Sequence, residues 1–163
     1  MCENTKGSFK CTCADGYKLD TDFRSCKALG PEPIIFFANR RDIHKFSTSG
    51  LIYGDVMKGL KGSIGIDVHV RKRFLFWTDI VSEKIGRVTL HRNGTVAGIS
   101  KYIVTEGVRL PECIAVDWIH DTIYWTDTGL DVIKMSNLDG QYVKTIISGI
   151  TDPRGLAIDP IDG

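Results

Sequence analysis

Several features are missing from this sequence, and each absence removes a class of protein. There is no long apolar run: the longest, Ile34-Ile35-Phe36-Phe37-Ala38, has five residues, where a membrane-crossing helix needs about twenty. No sign of charge dominates, because 21 lysines and arginines meet 20 aspartates and glutamates for a net charge of +1. Bulk attraction to nucleic acid or to an anionic membrane surface therefore has no basis. Helical periodicity is absent throughout. Met1 runs straight into Cys2 with neither a basic nor an apolar leader, so the chain carries no secretory address of its own. Catalytic signatures are missing as well. No Gly-x-Ser-x-Gly elbow or phosphate loop occurs, and His44, His69, His91 and His120 lack the spacing of metal ligands.

What the chain does have is cysteine at one end. Four of its five cysteines fall within the first 26 residues, the density of a small module stapled by disulfides in an oxidising compartment. Zinc sites place paired thiolates a few residues apart, and one Cys-x-Cys with unevenly spaced neighbours suits zinc poorly. Disulfides without a leader point to a piece of a longer secreted chain. The sequence opens inside a cysteine pattern and stops at Ile158-Asp159-Pro160-Ile161-Asp162-Gly163, where its internal repeat would begin another strand.

Residues 1–30 resemble the second half of an EGF-like module. The spacing Cys-x8-Cys-x-Cys-x12-Cys runs through Cys2, Cys11, Cys13 and Cys26, with Gly7-Ser8-Phe9 and Gly16-Tyr17 in place. The resemblance implies that Cys13 pairs with Cys26, and that Cys2 and Cys11 lack partners, their mates lying upstream. It also makes Asn4 the remnant of a calcium site, the only cofactor implied here. Calcium needs six to eight oxygen ligands, and the acidic residues that should precede the module's first cysteine are missing. A turn asparagine is the other reading of Asn4.

Beyond a short linker, 31–33, the chain repeats itself. Gly-Ile-Asp at 65–67, Ala-Val-Asp at 115–117 and Ala-Ile-Asp at 157–159 recur 50 and 42 residues apart. Phe76-Trp77-Thr78-Asp79 is answered by Tyr124-Trp125-Thr126-Asp127, each 10 to 12 residues after its preceding aspartate. A degraded copy at 34–46 has Phe37 for the tryptophan and Asn39 for the aspartate. The best unit reads as four short strands: CIAVDW, TIYWTD, VIKMSNL and YVKTIIS. Four strands per forty to fifty residues is the blade period of a β-propeller. Successive strand residues point to opposite faces, so Tyr124 and Trp125 can each fill a gap between neighbouring blades. Thr126 and Asp127 close the strand, where a buried polar group must find a partner. Asp79 and Asp127 are expected to accept hydrogen bonds from backbone N–H groups of an adjoining turn.

These repeats resemble the class B (YWTD) repeats of the low-density lipoprotein receptor family, in which an EGF-like module runs into a six-bladed propeller. The linker and first blade are most similar to the agrin-receptor type of member. The resemblance implies an all-β fold: an incomplete six-bladed propeller of about three blades behind a partial EGF-like module. Blade one, 34–60, lacks its first strand; blade two spans 64–106 and blade three 112–149. Blade four begins at 155–163. Open end blades would expose apolar faces and unpaired edges, so self-association is expected.

Three departures remain. Cys113 stands where the next unit has Gly155; it reads as a small buried apolar residue, or as a thiol open to mispairing with Cys2 or Cys11 or to pairing with a segment outside this chain. Asn93-Gly94-Thr95 is a glycosylation sequon. Arg71-Lys72-Arg73 reads as a solvated turn, or as a contact for a heparin-like or acidic ligand. A histidine serving as a pH switch would suit the family, but nothing singles out one of the four.

The family resemblance implies an extracellular, non-enzymatic part of a membrane-anchored receptor, endocytic or signalling, with protein ligands such as agrin, Wnt-pathway proteins or lipoproteins. A basement-membrane protein of nidogen type, docking on laminin, is the alternative. A calcium-dependent lactonase propeller is a distant third.

Overall fold

The structure is a computed structural model that describes residues 2–30 and 32–159. Part of the 31–33 linker and the last four residues of the 155–163 segment lie outside the described residues. The chain divides into two compact units, Met1–Pro33 and Ile34–Gly163.

The first unit is two small hairpins. Strands β1 (Cys2–Thr5) and β2 (Ser8–Cys11) pair around Gly7, whose φ of 83° suits a residue without a Cβ. Strand β3 (Tyr17–Leu19) pairs with β4 (Cys26–Ala28). Cys13 is bonded to Cys26. Cys2 and Cys11 correct the expectation that both lack partners, because they are bonded to each other. The cause is register: the first hairpin sets Cys2 directly opposite Cys11, with Cα atoms 3.9 Å apart. Asn4 faces Phe9 across the same hairpin and is exposed. No group of three or more His, Cys, Asp or Glu residues able to hold a metal occurs among the described residues.

The second unit is three antiparallel sheets met in chain order. The first holds β5 (Ile34–Ala38), β6 (Ile43–Ser47) and β7 (Tyr53–Met57). The second holds β8 (Ser63–His69), β9 (Phe74–Asp79), β10 (Lys84–Thr89) and β11 (Lys101–Val104). The third holds β12 (Pro111–Asp117), β13 (Thr122–Asp127), β14 (Val132–Asn137) and β15 (Lys144–Ser148). Each sheet joins its strands in sequence order, as the blades of a propeller do. The protein is all-β and forms part of such a propeller.

Two apolar layers hold the sheets together. Between sheets one and two lie Ile43, Val56, Leu75, Trp77, Val88 and Leu90; between two and three lie Phe76, Ile85, Val104, Ile114, Val116, Ile123 and Trp125. Strand β9 thus sends Leu75 and Trp77 one way and Phe76 the other, which is the period-2 alternation of a strand buried on both faces. Both tryptophans face the preceding sheet. Trp77 lies across Gly86 on β10, where an added Cβ would meet the indole ring at 2.1 Å. Tyr124, equivalent to Phe76, is half-buried on the far side of the third sheet. Residues 153–159 form no strand.

Candidate functional site

The repeated Trp-Thr-Asp unit is where the structure concentrates its buried polar groups. Thr78, Asp79, Thr126 and Asp127 are all buried, and each has a specific task. The first strand of each blade carries a bulge, between Ser63 and Ile66 in β8 and between Pro111 and Ile114 in β12. The bulge takes one N–H out of the ladder, and the threonine hydroxyl receives it. Gly65 N–H donates to Thr78 Oγ1 at 2.8 Å, and Cys113 N–H donates to Thr126 Oγ1 at 3.1 Å. Each hydroxyl then donates onward to the next repeat: Thr78 to the Glu112 carbonyl at 3.3 Å, Thr126 to the Arg154 carbonyl at 2.9 Å. Position 65 needs glycine because the next sheet comes so close; a Cβ there would meet the Glu112 carbonyl oxygen at 2.6 Å. Cys113 fills the equivalent place in the third sheet, where its Sγ lies 3.6 Å from the Leu156 carbonyl.

The aspartates cap turns, as the sequence led us to expect. Asp79 Oδ1 accepts from the N–H groups of Val81 and Ser82, and its Oδ2 accepts from Lys61 N–H. Asp127 Oδ1 accepts from Leu110 and Gly129 and its Oδ2 from Arg109. Asn39, in the degraded copy, does part of the same work by accepting from Asp42 N–H. Burial raises the Asp79 pKa, but the backbone N–H groups of Ser82, Lys61, Gly62 and Val81 outweigh it and leave the carboxyl below its ordinary value.

The aspartates of the first strands were not singled out from sequence for a role, and they differ from each other. Asp67 Oδ2 reaches across to Val116 N–H at 2.7 Å, tying sheet two to sheet three. Burial raises its pKa, only partly offset by the N–H groups of Val68 and Val116. Asp117 instead accepts from Ile119 and His120 within its own turn. Asp67 and Cys113 help line a cavity of about 500 Å³.

The histidines occupy distinct settings. His69 is buried, and its Nδ1 accepts Lys72 N–H at 3.2 Å. Nε2 is therefore the protonated nitrogen, and it donates to Asp121 Oδ1 at 2.9 Å. Lys72 Nζ closes on the other Asp121 oxygen at 2.6 Å. His120 pairs with Asp117, His44 stacks between Phe37 and Tyr53, and His91 is exposed in a loop. The pairing of His69 with Asp121, from a turn 52 residues away, is visible only in the folded chain.

Because the strands alternate in direction, two ends of the blades present different loops. One end carries the β8–β9 and β12–β13 turns with the β10–β11 and β14–β15 loops; the β9–β10 and β13–β14 turns lie at the other. Asn93 is exposed in the β10–β11 loop, and Thr95 turns both its N–H and its hydroxyl to Asn93 Oδ1, at 3.1 and 2.7 Å.

The sequence model of the low-density lipoprotein receptor repeat class B matches residues 121–160, which include Tyr124-Trp125-Thr126-Asp127. Low-density lipoprotein receptor-related protein 8 of Gallus gallus is 33% identical over 129 residues, covering 79% of this chain. Related protein 4 of Mus musculus is 39% identical and covers 75% of this chain. The chain carries a low-density lipoprotein receptor class B repeat and is related to the low-density lipoprotein receptor-related proteins. It spans 14% and 8% of the length of these two relatives. Among solved structures, a nidogen/laminin complex aligns with a TM-score of 0.71 at 28% identity, over 80% of this chain and 50% of that one. Regucalcin from Agrobacterium tumefaciens, at 15% identity and a TM-score of 0.61, shares the fold.

Within this family's repeat, the threonine link generates a direct expectation. Thr126→Val keeps the shape but leaves the Cys113 N–H and the Arg154 carbonyl unpaired, which should cost about 2 kcal/mol in urea unfolding. Thr126→Ser retains the hydroxyl and should lose much less; equal losses would contradict the role given to the hydroxyl.

Asp79 generates a second one. A folded-state pKa below the unfolded value, about 3.9, means that the ionised carboxylate stabilises the fold above that value. The contribution is lost as pH falls through the lower folded value. Asp79→Asn should therefore flatten the acid limb of stability against pH, measured by denaturant unfolding. An unchanged limb would show that this carboxylate does not drive it.

Proposed function

We propose that the chain is an extracellular, non-enzymatic ligand-binding part of a low-density lipoprotein receptor-related cell-surface receptor, and that its ligands are proteins. The observation that carries this reading is the use of the repeat's buried polar groups. Thr78, Thr126, Asp79 and Asp127 bond to backbone within and between blades, which leaves recognition to the loops at the blade ends, where binding residues on rigid scaffolds concentrate. Agrin, Wnt-pathway proteins and lipoproteins are the proposed ligand classes, in an endocytic or signalling parent anchored by a single membrane span. A matrix role of nidogen type, with laminin as ligand, is the second reading, and the nidogen/laminin likeness favours it. Ile146 and Ile147, exposed on the third sheet, and Tyr53, exposed on the first, are the apolar positions through which we propose that the fragment self-associates.

The test is interferometry with the immobilised chain, kept at densities where light scattering shows monomer, against agrin, a Wnt-pathway antagonist, a lipoprotein particle and a laminin fragment. A Kd of about 1 µM or tighter (about −8 kcal/mol) for one of the first three supports the receptor reading. Binding to laminin alone transfers the assignment to the matrix reading, and failure with all four defeats both.

Asn93 is the proposed glycan acceptor. On secretion from glycosylating cells, wild type should show a mass step that is sensitive to endoglycosidase and absent from Asn93→Gln. Equal migration of the two before and after enzyme would remove the assignment.

A further inference from the structure

We propose that the end of the blades carrying the β8–β9 turn holds a site for a sulfated polysaccharide, built from Arg71, Arg73 and Arg92 with Trp118 as a platform. The guanidinium of Arg71 lies over the Trp118 ring, 4.9 Å from its centroid. Stacking of this kind holds the plane of the group while leaving its N–H edge outward. Leu90 N–H donates to the Arg73 carbonyl at 2.7 Å, and the loop then turns back through His91 N–H to Thr95 and Gly94 N–H to His91. The Leu90 bond ties the base of the loop that carries Arg92 to the turn that carries Arg71 and Arg73. All three arginines are exposed.

Charge at this end decides the ligand class. Four neighbouring cations are already engaged, Lys72 with Asp121, Arg87 and Lys101 with Asp139, and Lys45 with the Asn93 carbonyl, while Lys144 at the start of β15 is exposed. Their partners consume Asp121 and Asp139, the carboxylates of the neighbouring turn and loop. Arg71, Arg73 and Arg92 appear in no ion pair among the described residues. An uncompensated guanidinium can direct two N–H donors at two oxygens of one sulfate group. Shape narrows the choice further. The three sit on turn tips and line neither the 500 Å³ cavity nor the 380 Å³ cavity bounded by Phe74, Arg87 and Asp139. A flexible linear polyanion can lie across such tips and be held by charge.

The test is calorimetry with a heparin dodecasaccharide at about 0.15 M salt, using the full chain carrying Asn93→Gln so that no glycan shades Arg92. The first variant combines Arg71→Gln, Arg73→Asn and Arg92→Gln; asparagine is chosen at 73 because that residue has φ of 55°, a region asparagine tolerates. The control, Lys10→Gln with Lys18→Gln and Lys27→Gln, removes the same charge from exposed positions in the first unit. Heparin binding should weaken about tenfold or more in the first variant and by less than about twofold in the control. Equal weakening in both, or no binding by the parent chain, overturns the site. Competition by poly-glutamate as strong as that by heparin overturns the polysaccharide assignment in favour of an acidic protein segment. If the triple variant loses its far-ultraviolet spectrum, Arg71→Gln and Arg92→Gln are measured singly, and unchanged binding in both overturns the proposal.

Discussion

The structure depends on one hydrogen-bonded relay, in which a buried threonine hydroxyl accepts from its own blade and donates to the next. An apolar layer between two sheets fixes neither their separation nor their register, because dispersion and burial are non-directional. The hydroxyl supplies the direction. Thr78 can meet both the Gly65 N–H and the Glu112 carbonyl only when sheets two and three sit in one relation. Thr126 repeats the constraint with Cys113 and Arg154. The bulges in β8 and β12 follow from the same requirement, since without them the receiving N–H would stay in the ladder.

The rest of the motif can be read as support for that relay. The tryptophan one position earlier fills the gap behind it, and the aspartate one position later fixes the turn. Asp79 and Asp127 hold the loop entering the blade as well as the turn leaving β9 or β13. That places the start of the bulged strand relative to its neighbour. Neither Trp77 Nε1 nor Trp125 Nε1 has a hydrogen-bond partner, so the indole contributes here through its area, worth a few kcal/mol on burial, and not through its donor.

This logic separates what was legible in the sequence from what was not. The repeat, its strand count and the turn-capping aspartates were legible because they are local: a period, an alternation, and a carboxylate placed two or three residues before the N–H it accepts. The relay's second half was not, because Thr78 and Glu112 are 34 residues apart and meet only through a bulge. Asp67 and His69 were opaque for the same reason, their partners Val116 and Asp121 being supplied by the next repeat. Cys2 and Cys11 failed differently. The family's pairing directed attention to absent upstream mates, while the register of a four-residue hairpin had already set the two thiols face to face. Local geometry outweighed the inherited pattern.

The relay also explains why the two ends of the blades are chemically unlike. Asp79 and Asp127 stand at the end of β9 and β13 and turn the loops there into a framework of N–H to carboxylate bonds. At the opposite end Asp117 caps its turn, but its counterpart Asp67 reaches to the next sheet instead, and side-chain pairs that vary from one repeat to the next add to the turns: His69 and Lys72 on Asp121, Arg87 and Lys101 on Asp139. Variation of the exposed pairs, Lys72 with Asp121 and Lys101 with Asp139, carries little structural penalty, because such pairs contribute little to stability. The repeat therefore keeps the same carboxylate caps at one end and differs in charge between its copies at the other, where Arg71, Arg73 and Arg92 join no ion pair among the described residues.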